Sequence, residues 1–222
     1  MNKQIVKEDP RLISYNTLRK TIGWLGISLP LAMIIGNYIF GNCHTLQDSN
    51  SHYYYTVTGN LFTGILCAVG MFLIAYRGID DDHNYTFFAG VCAIMIAMLP
   101  TNNNSADTCA IIDLPLNKWR NIAHYSFAAL FFISLAWISL FIFTKSKGPK
   151  TKQKEKRNKV YLACGIIILV AITILFLISF FDVDRKYDKY KPTFWMEWVA
   201  LIAFGASWLV KGELILKDKT SE

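Results

Sequence analysis

The chain has 222 residues, 53% of them hydrophobic and 14% aromatic, with a mean hydropathy of +0.30 and a formal net charge of +7. So apolar a chain of this length falls outside the ordinary soluble globular class. Its basic excess is gathered in a short polar run without interleaved aromatics or a recognisable binding module, so nucleic acid is not an expected partner. The sequence reads as an all-α polytopic membrane protein, a single integral-membrane domain over residues 1–222.

Polar and charged residues occupy positions 2–20, and no small-residue cleavage site follows a short apolar core, so no cleavable signal peptide is expected. Six apolar blocks follow, most of them as long as an α-helix needs to be to cross ~30 Å of hydrocarbon at about 1.5 Å per residue. The first is expected over 21–41, with Pro30 tolerated because neighbouring helices can re-satisfy the freed carbonyl. The second is expected over 57–76. The third, over 86–100, is short and is expected to borrow Asn84, Tyr85 and Thr101. The fourth, fifth and sixth are expected over 122–143, 160–181 and 194–216, completing a six-transmembrane-helix bundle. The connections are too brief for a separate soluble domain, and no internal repeat relates the two halves.

Small residues recur within these blocks. Ala89, Ala93 and Ala97 are spaced every fourth residue, Gly64 and Gly70 lie in the second block, and Ala203, Gly205 and Ala206 lie in the sixth. Such residues let helix backbones approach closely inside a membrane.

Lys and Arg are retained on the cytoplasmic side of a membrane. The run KSKGPKTKQKEKRNK, residues 145–159, and the group Lys3, Lys7, Arg11, Arg19 and Lys20 therefore both read as cytoplasmic. With six spans the expected orientation is N-in and C-in, in the cell membrane, and the basic run attracts anionic lipid as well as setting topology. The loops containing SHYYY, TNNNSADTCAIIDLPLNKWR and DVDRKYDKYKPT then share the outer face, and RGIDDDHNY lies inside. Cys43 and Cys109 both fall in outer loops and would pair if that compartment is oxidising, whereas Cys67, Cys92 and Cys164 lie in spans.

The candidate chemistry gathers at the outer end. His124 lies shallow in the fourth span and Glu197 at a similar depth in the sixth, and an ionisable residue within a span is by default a site candidate. With His52, Tyr53 and Tyr55 from the first outer loop they outline a polar and aromatic vestibule for a lipid or small ligand. The same tyrosines, with Trp119, Tyr125, Trp195 and Trp198, also suit an interfacial aromatic belt. His52, His124 and Glu197, or in place of Glu197 either Asp107 or Asp182, are residue types that bind zinc, and an open position would hold an activated water. No HExxH or other pair of histidines at i, i+4 accompanies them, so no cofactor is expected beyond this zinc alternative. At the inner end Lys211 is expected to snorkel to the headgroups rather than meet an aspartate from Asp80 to Asp82, and Glu213 to pair with Lys217 on one helix face.

The segments SNSHYYYT (49–56), FTGILCAVGMFLIAYRG (62–78), AMLPT (97–101), HYSFAALFF (124–132) and FWMEWVALIAFGASWLVKGE (194–213) resemble, in order and over most of the chain, a group of uncharacterised bacterial multi-span proteins known only as a domain of unknown function. A looser likeness is to the superfamily of seven-span metal-dependent lipid amidases that includes alkaline ceramidases, which look similar in placing Ser, His and Asp near helix ends. This chain departs from that pattern in lacking an HxxxH pair and in having six expected spans rather than seven, so no catalytic residue is carried over.

Three functions are therefore expected to compete. The first is a non-enzymatic binder of membrane lipid or a small ligand, the second a metal-dependent lipid hydrolase, and the third a pore or transporter. The stretch WVALIAFGASWLV, with no ionisable group, weighs against an ion relay along the last span.

Overall fold

The computed structural model describes residues 10–77, 82–103, 109–146 and 151–217. It is helical, and no strand occurs among the described residues. The helices are α1 (Pro10–Gly41), α2 (Gly59–Ala75), α3 (Asp82–Met98), α4 (Lys118–Trp137), α5 (Lys152–Phe180), the short α6 (Val183–Lys186) and α7 (Pro192–Lys211). A π-helical turn, Ile138–Ile142, extends α4, and a 3-10 turn, Asn50–Tyr55, lies between α1 and α2.

Helix ends are set by local chemistry. Asn42, with φ of 47°, closes α1 in the left-handed conformation that Asn tolerates. Asn117 and Thr151 cap α4 and α5 by accepting the N–H groups of Arg120 and Lys154, each at 3.0 Å. Pro192 occupies the first turn of α7, where its missing N–H costs nothing. Asn117 and Thr151 lie in polar sequence, which is why α4 and α5 begin before the apolar blocks expected from 122 and 160, and α1 likewise starts at Pro10, ahead of the block expected from 21.

The other end of α7 corrects the expected last span. The helix stops at Lys211, because Glu213 turns left-handed with φ of 56° while Leu214 N–H reaches back to Leu209 O and Glu213 N–H to Val210 O, both at 3.1 Å. Residues 212–216 therefore leave the helix, and Glu213 and Lys217 do not share a helix face. The third block is helical over 82–98 rather than 86–100, taking in Asn84 and Tyr85 but ending before Thr101.

Each long helix neighbours the next, α1 with α2, α2 with α3, α3 with α4, α4 with α5 and α5 with α7, and α7 returns to α1. The six long helices thus close a ring. Two backbone approaches bring its members close. A Cβ on Gly70 would stand 2.8 Å from Gly90 O, and one on Gly205 would stand 2.5 Å from Gly23 O, so glycine permits the α2–α3 and α1–α7 crossings. Gly64, by contrast, faces open space.

The interior is apolar. Ala89, Ala93 and Ala97 are buried against it, and a void of about 10 Å³ is bordered by Leu25, Leu29, Leu66, Val69, Phe131 and Phe204. Four helical stretches, Tyr15–Gly41, Lys118–Ile142, Lys152–Phe180 and Pro192–Lys211, are long and apolar enough to cross a membrane, and Gly59–Ala75 and His83–Met98 are shorter apolar helices. Large apolar side chains such as Phe40, Met71 and Phe176 point outward, as a lipid-facing surface requires.

Candidate functional site

The loop segments 42–58, 99–103, 109–117 and 181–191 gather at one end of the ring, and consecutive residues of the first loop tie several of them together. Asp48 Oδ1 pairs with Lys191 Nζ at 2.5 Å. Ser49 caps the 3-10 turn by accepting the His52 N–H at 3.3 Å, with its Oγ 2.7 Å from His52 Nδ1. Asn50 donates to Glu197 Oε2 twice, from its backbone N–H at 2.6 Å and from Nδ2 at 3.1 Å. Ser51 Oγ lies 3.0 Å from His124 Nε2. The stretch DSNSH thus reaches the start of α7, its own turn, the first turns of α7 and the first turns of α4 in succession.

His124 is 2% exposed, and its other nitrogen, Nδ1, lies 2.6 Å from Leu99 O. A carbonyl only accepts, so Nδ1 carries the proton. In the neutral ring Nε2 is then an acceptor, and the Ser51 hydroxyl donates to it. Depth matches on the two helices. His124 is six residues into α4, about 9 Å, and Glu197 five residues into α7, about 8 Å, at ~1.5 Å per residue.

Tyr55 extends the knot to the segments that follow α3 and precede α4. Its hydroxyl donates to Thr101 O, and its own carbonyl accepts the Ile111 and Ile112 N–H groups at 2.8 and 3.2 Å. Thr101 Oγ1 donates in turn to Asn121 Oδ1 at 2.8 Å. Burial pushes the Tyr55 phenol above its ordinary value, an effect that the nearby Arg120 cation partly offsets. Cys43 and Cys109 are joined in a disulfide, Cα to Cα 5.6 Å, which fastens the same two loops covalently.

Of the expected site residues, Tyr53, Tyr55 and His124 are buried, and His52 and Glu197 half-buried. The tyrosines pack rather than line an open mouth, Tyr53 against the Phe194 ring at 6.2 Å. Among the described residues, no three His, Cys, Asp or Glu side chains gather closely enough to hold a metal ion. Asp107, one alternative carboxylate, lies outside the described residues. The sequence reading passed over Asn50 and Ser51, which bring Glu197 and His124 to one loop. It also passed over Asn37, 2% exposed, whose amide groups have no partner among the described residues. Asn37 follows Leu29 and Met33 at four-residue steps, so it continues their inward-facing stripe toward this end of the bundle.

The opposite end holds a cationic and aromatic cluster. Arg19 donates to Asn16 Oδ1 at 2.9 Å and Tyr76 Oη at 3.2 Å and lies 5.5 Å from the Tyr76 ring centroid. Lys211 Nζ stands 5.0 Å from the Phe143 centroid, and Arg157, buried, donates to Leu216 O at 2.9 Å. Within the basic run Arg157 thus holds a C-terminal carbonyl and Lys154 Nζ donates to Phe143 O at 2.7 Å, whereas Lys152, Lys156 and Lys159 are exposed.

Fold and composition together define a helical protein with, among the described residues, four helices long and apolar enough to cross a membrane. Comparison with family models, with curated proteins and with solved structures finds no match to this chain.

Proposed function

We propose that the chain is a six-span membrane protein of the cell membrane with both termini cytoplasmic, whose outer loops close over a small polar pocket that takes the headgroup of a membrane lipid or a small polar ligand. One observation carries this reading: the polar residues of two apolar helices, His124 and Glu197, meet adjacent residues of one loop, Ser51 and Asn50. Polar groups are costly at that depth unless they face partners or a ligand. Asn50 Oδ1 and the Asn37 amide, buried and without partners among the described residues, leave hydrogen-bonding capacity for such a ligand.

The two shorter apolar helices support the count of six, since seventeen residues lie at the lower end of what spans a bilayer. The disulfide supports the orientation, because it belongs to an oxidising compartment and lies at the end away from the basic run. The apolar packing around that void weighs against a pore through the ring.

The test is the melting temperature of detergent-purified protein with and without added phospholipid. Stabilisation of wild type that is lost in Asn37→Leu, a change that fills the position without polar groups, supports a headgroup pocket. Equal stabilisation of both proteins would place lipid on the outer belt instead.

A further inference from the structure

We propose, building on the pocket just described, that Ser51 and His124 are a nucleophile and general base that cleave an acyl ester of a membrane lipid. Their geometry is that of an activated hydroxyl. Ser51 Oγ is 3.0 Å from His124 Nε2, within the reach that nucleophile–base pairs require. The base is itself oriented, because Nδ1–H is held by Leu99 O at 2.6 Å, which leaves Nε2 free of a proton and facing the hydroxyl. The carbonyl takes the orienting place that a carboxylate holds in the Ser-His-Asp arrangement.

The two side chains differ in burial as such roles demand. His124 is 2% exposed, while Ser51 is half-buried. Glu197 is a positioning residue: its Oε2 holds the Asn50 backbone N–H at 2.6 Å, fixing the peptide beside Ser51.

Depth selects the substrate class. His124 lies about 9 Å inside the end of α4, at ~1.5 Å per residue. Trp119 and Tyr125, exposed on the same helix, are interfacial residue types. A group at this level meets the carbonyl region of a lipid, with acyl chains below and headgroup above.

The chemistry closes with water as the only co-reactant. Ser51 Oγ bonds to the ester carbonyl carbon as its proton passes to His124 Nε2. The tetrahedral intermediate collapses with loss of the alcohol, which takes that proton. Water, deprotonated by the same nitrogen, then attacks the acyl-serine, and the carboxylic acid leaves as Ser51 recovers its proton.

The experiment treats the full chain in nanodiscs, with EDTA present, with an alkyl fluorophosphonate, whose phosphorus takes the serine oxygen and releases fluoride. Peptide mass mapping reads the adduct. A phosphonyl adduct on Ser51, lowered at least tenfold in His124→Gln, is the expected result. Gln supplies both a donor for Leu99 and an acceptor for Ser51, so this variant tests the base while keeping the contacts. Protein whose stabilisation by phospholipid is lost in Asn37→Leu yet which shows no Ser51 adduct overturns hydrolysis and leaves the binding pocket standing. Labelling of His124→Gln at the wild-type rate overturns the base role. Absence of lipid-induced stabilisation in wild type, or equal stabilisation of Asn37→Leu, instead removes the pocket on which both readings rest.

Discussion

Asn50 and Glu197, 147 positions apart, are joined by two hydrogen bonds to a single carboxylate oxygen, at 2.6 and 3.1 Å. One of the donors is a backbone N–H, so the contact fixes the path of the chain as well as a side chain. Leaving a buried donor without its acceptor costs about 1–3 kcal/mol. Glu197→Ala strands the Asn50 N–H and is expected to destabilise the fold by about 2–3 kcal/mol, read as a lower melting temperature in detergent. Glu197→Gln keeps an acceptor of the same length and should lose roughly half as much. Equal losses would mean that packing rather than hydrogen bonding holds the cap.

Tyr55 gives the cap a pH dependence. Its phenol is buried and donates to Thr101 O, so the protonated form is favoured in the fold and its titration lies above the ordinary value. A group raised in this way contributes its full stability below the unfolded value, about pH 10 for tyrosine, and loses it as pH rises through the folded one. Alkaline melting curves should therefore fall less steeply in Tyr55→Phe than in wild type above about pH 10. At neutral pH the same variant should be less stable by about 1 kcal/mol, the usual net worth of one such bond. Parallel alkaline limbs would show that other groups govern the loss.

Close helix contact is testable at positions of opposite character. Ala93 is fully buried in α3, whereas Gly64 of α2 faces open space. Ala93→Leu should overpack the bundle at a cost of about 1–3 kcal/mol. Gly64→Ala should leave the melting temperature unchanged or raise it slightly, since nothing meets the added methyl group. A fall in the second variant would mean that the open face is covered by another molecule.

How far the sequence could be read follows from what each residue answers to. Hydropathy located all six long helices, because lipid-facing and core-facing residues are alike apolar. It misplaced several starts, since Asn117 and Thr151 begin helices inside polar sequence, where hydropathy is silent. His124 and Glu197 were legible as polar residues in apolar surroundings. Asn50 and Ser51 were not, because a polar residue in a polar loop carries no contrast, and their partners lie on helices far along the chain. The tyrosines of SHYYY suited an interfacial belt by composition. The 3-10 turn instead rotates Tyr53 and Tyr55 inward and leaves Tyr54 half-buried.

The Cys43–Cys109 bridge tests cap stability and orientation together. It spans 66 positions that include α2 and α3, so reduction frees a long loop in the unfolded chain. In the chain-entropy account a loop of that length is worth about 4 kcal/mol, and native disulfides generally contribute about 2–5 kcal/mol. The double variant Cys43→Ser, Cys109→Ser should therefore melt well below wild type, and reducing agent should lower wild type without further affecting the variant. The proposed orientation adds a second readout. In intact cells, mild reduction followed by a membrane-impermeant maleimide should label Cys43 and Cys109, resolved by peptide mapping, because both belong to the outer loops. A maleimide that reaches them only after the membrane is opened would invert the orientation, placing the polar cap with Ser51 and His124 on the cytoplasmic side.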